Sequence, residues 1–249
     1  MTLLLLCPSP LLRAAAWGDL PDRLRTLGHQ VGVPDPTPDD EPPYAVRWIA
    51  ACAQTAATLA TGPVVLVGHS GAGPLLPRLG AAVQAAGRPV AAYVFLDASL
   101  PRERPGNRLD LLATEDADWT VELKTHLEAG GRFPEWTDEA LAEAIPDAAA
   151  RTQLLEAVRA RPLAFFTEAL PTAGDGEPGG WPDAPCGYLL ASATYESRAR
   201  IASGRGWPVV EHLAGHFTAL VDPDGTAAAL DHLLAALRHA GNQPGRNER

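Results

Sequence analysis

The stretch Val64-Val65-Leu66-Val67-Gly68-His69-Ser70-Gly71-Ala72-Gly73 carries four consecutive apolar residues into a serine set among small neighbours. An apolar run with no polar alternation reads as a strand covered on both faces, the kind found in a parallel sheet sandwiched by helices. A serine at a sharp turn from such a strand into a helix is pushed into the open at the top of the sheet. The residues two places either side must then be small, because the two backbones crowd there. Gly68 and Ala72 meet that demand. The helix that follows would aim its free amides at the site, which puts the Gly71 N–H where a developing oxyanion can be bound. A Gly-rich turn whose serine only caps a helix is the competing reading. The strand before, the helix after and His69 between them favour a nucleophile at Ser70. Gly68, Gly71 and Gly73 fit neither GxGxxG nor a Walker loop ending in Lys-Ser or Lys-Thr, so no nucleotide site is expected.

Working outward, residues 2–7, 30–33, 90–96, 186–191 and 209–213 also read as strands, most of them apolar on both faces. Between them residues 17–27, 44–60 and 71–86 carry helical patterning, and a last helix follows Asp222. That helix is the clearest: Asp222 can cap it, Pro223 suits its first position, and Leu230, Leu233, Leu234 and Leu237 form one apolar stripe. Strands alternating with helices imply an α/β fold, a mostly parallel sheet of about six strands with right-handed crossovers. Pro77 is expected to bend the helix 71–86, while Pro74 falls within its first turn.

The rhythm breaks over residues 101–184, where Leu109 and Leu112, Trp119 and Leu123, Leu141 and Ile145, and Phe166 and Leu170 fall at helical spacings with no convincing strand. The expected organisation is therefore a core of residues 1–100 and 185–240 carrying a helical cap. The cap would return to the sheet through a Gly- and Pro-rich hinge at 171–183, and a polar, disordered tail would occupy 241–249. An insert leaving from the carboxyl end of a strand is placed to act as a lid over a ligand site. Trp119, Phe133, Trp136, Phe165 and Phe166 read mainly as the lid's own core, with one or two available to line an apolar pocket.

Composition narrows the function. With 249 residues, 46% of them apolar and only 20% charged, the chain can bury a sizeable core and is not mainly disordered. Thirty acidic against 20 basic residues give a net charge of −10, which would repel a phosphate backbone, so nucleic acid is excluded as a general partner. A small-molecule substrate is expected instead. The apolar run at 3–6 is far short of the roughly 20 residues of a membrane span and lacks the basic start of a secretory signal. Cys7, Cys52 and Cys186 are odd in number and widely spaced, which fits free thiols in a cytoplasmic protein rather than disulfides or zinc. Neither a metal site nor a cofactor is indicated.

The segment from Gly68 to Gly73, with its strand and helix, resembles the nucleophile elbow of the α/β-hydrolase superfamily, and the resemblance runs in order along nearly the whole chain. It implies that residues 2–7 stand for the family's third strand, that the first two strands are missing and that the helical block is a cap. Gly215-His216 followed by Asp222-Pro223 would then be the histidine loop and last helix. The small size, the segment Val94-Phe95-Leu96-Asp97-Ala98-Ser99-Leu100-Pro101 and the cap are similar to the esterase, methylesterase and hydroxynitrile-lyase branch.

A serine at its ordinary pKa needs a base in hydrogen-bond reach. His216 follows the last strand, sits behind a glycine that permits a tight loop and comes after the serine, as the resemblance demands; His212 is the fallback. The orienting carboxylate is open between two residues. Asp97 ends the apolar strand where the lid departs; Glu196 follows the next strand, the family's commoner place for the acid. An unpaired carboxylate at an apolar strand end would be costly unless it met a histidine or several amides, which leans toward Asp97. The family usually places His-Gly after its third strand for the second oxyanion amide. Here Cys7-Pro8-Ser9-Pro10 stands instead, leaving the Ser9 or Leu11 N–H as donor beside Pro8, Gly71 and His69. Losing one oxyanion donor costs on the order of a hundredfold in rate. The resemblance thus implies a serine hydrolase acting on a carboxylic ester or thioester of a small, fairly apolar molecule. A lyase or cyclase of specialised metabolism using the same residues, and a catalytically silent ligand-binding member of the fold, stay open.

Overall fold

In the computed structural model, residues 2–36, 41–59, 62–172 and 181–241 are described. Six strands form one sheet: β1 (Leu3–Cys7), β2 (Gln30–Gly32), β3 (Val64–His69), β4 (Val90–Leu96), β5 (Cys186–Leu190) and β6 (Val209–Glu211), in the order β2-β1-β3-β4-β5-β6 and all parallel. Side chains of the four central strands alternate between two covered faces, which is why those strands are apolar over nearly their whole length. Leu3, Leu5 and Cys7 point toward α2 (Tyr44–Thr58) and α3 (Leu76–Ala85) through Trp48, Cys52 and Leu79. Leu4 and Leu6 pack on the opposite face against Leu20 and Leu24 of α1 (Leu20–Thr26) and Leu230 and Leu233 of α11 (Pro223–Gly241). Each fully buried leucine contributes about 1.5–3 kcal/mol of transfer free energy.

Two expected helices are broken. Residues 17–27 divide at Gly18, whose φ of 52° no helix accepts, into a 3-10 turn Ala14–Trp17 and α1. The segment 71–86 begins as a 3-10 turn Ser70–Leu75, and α3 starts only at Leu76, so Pro77 falls in a first turn and does not bend the helix. The last helix matches its sequence signals: Asp222 Oδ1 accepts from the Gly225 N–H at 2.9 Å and Pro223 is its first residue. It runs to Gly241, the first residue of the expected disordered tail; the rest of that tail lies outside the described residues.

Between β4 and β5 stand α4 (Arg108–Ala113), α5 (Ala117–Glu128), α6 (Asp138–Leu141), α7 (Ala148–Ala157) and α8 (Leu163–Thr167). Four of these five helices start from Asn107, Asp116, Thr137 or Asp147, whose side chains accept from an amide in the first turn. Two apolar clusters join the block to the core. Tyr44 packs with Leu109, Leu123, Phe165 and Phe166, and Leu12 with Leu141, Ile145 and Leu154. Of the expected hinge at 171–183, residues 173–180 lie outside the described residues.

The sheet order reverses direction at β1. β2 lies on one side of it and β3 on the other, so the connections leaving β1 and β3 diverge and open a crevice at their carboxyl ends. Cys7 is in register with Gly68, which brings the Pro8-Ser9 and His69-Ser70 corners side by side.

Candidate active site

Ser70 and Asp97 are the two non-glycine residues among those described with positive φ, at 56° and 42°. A left-handed serine or aspartate costs about 1–2 kcal/mol, so the surrounding structure must hold each in place. At Ser70 the carbonyl accepts from the Ser99 N–H at 3.2 Å, tying the elbow to the loop after β4. Packing is tight at Gly73, where a Cβ would lie 2.0 Å from the Ser99 carbonyl oxygen. At Gly68 the nearest atoms a Cβ would meet are those of the Leu76 side chain, at 3.0 Å.

Asp97 is fully buried at the end of β4, and four donors converge on it. Oδ1 accepts from the Ala191 and Ser192 amides, each at 2.9 Å, while Oδ2 accepts from Ser192 Oγ at 2.6 Å and lies 2.7 Å from His216 Nδ1. Burial acts to raise its carboxyl, but the hydrogen bond and charge of His216, with the Ser192 hydroxyl and the Ala191 amide, outweigh it and hold the group below its ordinary value. The histidine loop is pinned to β5: the His212 N–H donates to the Leu190 carbonyl and the Gly215 N–H to the Ala191 carbonyl, both at 2.8 Å, with Gly215 at φ 94°.

Of the two candidate carboxylates, Asp97 is the one at His216. Glu196 lies elsewhere: it opens α9 (Glu196–Gly204), its side chain is 62% exposed, and it lies 3.9 Å from Arg200 Nε on the same helix. A carboxylate there complements the helix dipole instead. His212, the fallback base, lies 3.1 Å from Asp222 at the start of α11.

His69 is buried beneath His216, with ring centroids 4.6 Å apart, and its Nε2 lies 2.9 Å from the His216 carbonyl oxygen. Burial first, then the neighbouring His216, pushes its pKa down to about 3. A neutral ring facing a carbonyl must carry its proton on Nε2 and donate it. Tyr195 stacks on His216, centroids 5.2 Å apart and planes 6° from parallel. Burial, with the Glu115 charge, raises that phenol, so it stays protonated. Tyr195 and Ser192 escaped the sequence reading. The signal was their position just after β5, where the resemblance places an acid and this chain instead places that acid's partners.

A cavity of about 80 Å³ opens beside Ser70, lined by Ser9, Gly71, Ser99 and Tyr195 and by the apolar side chains of Leu11, Leu111, Phe165, Phe166 and Leu170. Ser9 is 2% exposed, and its Oγ lies 3.6 Å from where a Gly71 Cβ would be. Leu11 turns its N–H toward Ser9 Oγ at 3.4 Å. Pro8 faces elsewhere, its carbonyl accepting from Trp48 Nε1 at 3.3 Å, and it lines a separate small cavity with His69 and His216. Among the described residues no His, Cys, Asp and Glu group could hold a metal. No described helix is long and apolar enough to cross a membrane.

Comparison with known proteins places this geometry. No match is found among curated protein sequences. Solved structures share the fold at low identity. An extracellular α/β-hydrolase from a Paenibacillus species, described as a structural and functional homologue of tobacco salicylic acid binding protein 2, is 16% identical with a TM-score of 0.70, over 94% of this chain and 99% of that one. Polyneuridine aldehyde esterase is 16% identical with a TM-score of 0.64, over 93% and 99%. A methylesterase from Arabidopsis is 15% identical with a TM-score of 0.61, over 95% and 100%. The sequence pattern of the alpha/beta hydrolase family matches residues 4–229, and the sheet is all parallel, so the chain belongs to the alpha/beta hydrolase family.

Proposed function

We propose that this chain is a serine hydrolase that cleaves a carboxylic ester or thioester of a small, fairly apolar substrate. The observation that carries the reading is the 2.7 Å contact between His216 Nδ1 and the buried Asp97 carboxylate, made from strand ends that also present Ser70. With Nδ1–H directed at Asp97, His216 Nε2 is free to take the Ser70 proton as the hydroxyl attacks the carbonyl, and later to return it to the leaving group. Asp97 stabilises the imidazolium that forms between these steps. The N–H groups of Gly71 and Ser9 bind the tetrahedral oxyanion. Helices α4 to α8 act as the cap that excludes water and shapes the pocket, with Phe165, Phe166 and Leu170 supporting an apolar substrate. The described esterases among the similar structures support an ester over other acyl groups. A cytoplasmic setting belongs to the same reading, supported by three free, buried cysteines.

The test is rapid-mixing kinetics with p-nitrophenyl butyrate. Wild type is expected to release a burst of nitrophenolate stoichiometric with enzyme, and Ser70→Ala and His216→Ala to abolish it. Turnover that survives Ser70→Ala would contradict the proposal.

A further inference from the structure

Arg108, the first residue of α4, is 8% exposed and lines the cavity beside Ser70. Its guanidinium lies over the Phe165 ring, 3.8 Å from the centroid. One arm is satisfied: Nη1 donates to the Phe165 carbonyl at 2.7 Å and to Glu168 Oε2 at 3.2 Å. Glu168 is in turn fixed by the Ala45 N–H at 3.0 Å. The other arm is not. Nη2 is buried and has no hydrogen-bond partner among the described residues. Burial lowers the Arg108 pKa to about 10, with Glu168 opposing, so the group is charged at neutral pH. A charged donor held in an apolar wall with a bare N–H is costly unless an acceptor arrives. The hydrogen bonds that tie α4 to α8 are made by Nη1.

We infer that Arg108 Nη2 is a specificity-determining donor, and that the substrate carries a second acceptor oxygen, a ketone or a carboxylate, away from the ester being cleaved. This rests on the hydrolase reading of the site. The cavity wall is otherwise mostly hydrocarbon apart from the small hydroxyls of Ser9, Ser70 and Ser99, the Tyr195 phenol and the Gly71 backbone. A site built around a buried donor rejects the analogue that lacks the acceptor, because the donor is then left unpaired. Glu168 balances the Arg108 charge, and the Arg161 guanidinium, 5.5 Å from the Phe165 ring, adds a further positive charge near the wall. A neutral ketone and a carboxylate are thus both admitted, and the substrates tested must separate them.

The experiment measures kcat/KM for two series of esters, one varied in the acyl portion and one in the alcohol. In each, a ketone or a terminal carboxylate is moved stepwise along the chain and compared with the plain hydrocarbon of equal length. Wild type is expected to prefer at least one oxygenated ester over its hydrocarbon analogue on the order of 10- to 100-fold, as one charged hydrogen bond provides. In Arg108→Met that ratio is expected to fall to near one, carried by loss on the oxygenated ester rather than the hydrocarbon. A ketone preference identifies a neutral acceptor and a carboxylate preference an anionic one. Should Arg108→Met fail to fold, Arg108→Gln, which keeps a polar amide but lacks the second guanidinium arm, gives the same ratio. Wild type that turns over hydrocarbon esters with no preference in either series overturns the assignment of Arg108 and leaves the hydrolase reading standing. A preference that survives both substitutions overturns it equally. Wild type inactive on every ester overturns both.

Discussion

Replacing Asp97 by Asn separates the charge of the carboxylate from its shape. Oδ1 of the amide can keep the bonds from the Ala191 and Ser192 N–H groups, both at 2.9 Å. The second position changes from acceptor to donor, facing Ser192 Oγ and His216 Nδ1 at what are now 2.6 and 2.7 Å. The serine hydroxyl can rotate to accept. The imidazole can keep its contact only by accepting at Nδ1, which moves its proton to Nε2, the nitrogen required to take the Ser70 proton. A base locked in the wrong tautomer is expected to lower kcat about 10⁴-fold, equivalent to about 5.5 kcal/mol in the barrier. Because two of the four contacts are unchanged and the other two can survive with donor and acceptor reversed, folding should lose only about 1–3 kcal/mol, a drop of several degrees in Tm for a chain of this size. The assay is steady-state hydrolysis of p-nitrophenyl butyrate at neutral pH alongside a thermal melt, with Glu196→Gln as the comparison. Asp97→Asn within tenfold of wild type in kcat, or Glu196→Gln as damaging as Asp97→Asn, would refute the reasoning.

Gly73→Ala should be severely destabilising, by about 3 kcal/mol or more, since its Cβ would lie 2.0 Å from the Ser99 carbonyl and only backbone movement relieves it. Chemical denaturation measures this, and an unchanged midpoint would count against the elbow geometry. Because His69 is held neutral, with its pKa lowered from 6.5 to about 3, the unfolded chain binds the extra proton first as pH falls. Its contribution to stability is therefore complete above pH 6.5 and lost progressively toward pH 3. His69→Gln, which can still donate to the His216 carbonyl, is expected to flatten that part of the curve of stability against pH, and an unaltered slope would contradict the assignment. The three cysteines are free and buried, and burial raises the thiols of Cys52 and Cys186. Ellman's reagent should therefore modify none of them in the native protein and all three after denaturation, whereas rapid native labelling would show the core to be open.

The sequence exposed the sheet because strands buried on both faces leave an unmistakable apolar run, and Leu3 to Leu6 and Val64 to Val67 are such runs. It exposed the elbow because Ser70 sits in a pattern dictated by local crowding. The choice between Asp97 and Glu196 was undetermined because no spacing reveals that β4 and β5 are neighbours. That adjacency carries the Ala191 and Ser192 amides onto Asp97. The 3-10 turn at Ser70–Leu75 is invisible in the helical pattern of 71–86, since that periodicity hides a tighter winding over so few residues. Arg108 stood in plain view at a helix start, yet its unpaired arm exists only once α4 and α8 have packed around Phe165.

The central claim is that the Ser70 hydroxyl is made nucleophilic by His216. Incubation with a fluorophosphonate followed by peptide mass spectrometry addresses it without knowledge of the substrate. One phosphonyl adduct on the peptide containing Ser70, lost in His216→Ala, is the result expected. An intact wild-type protein that remains unlabelled, or one labelled at another serine, would contradict it.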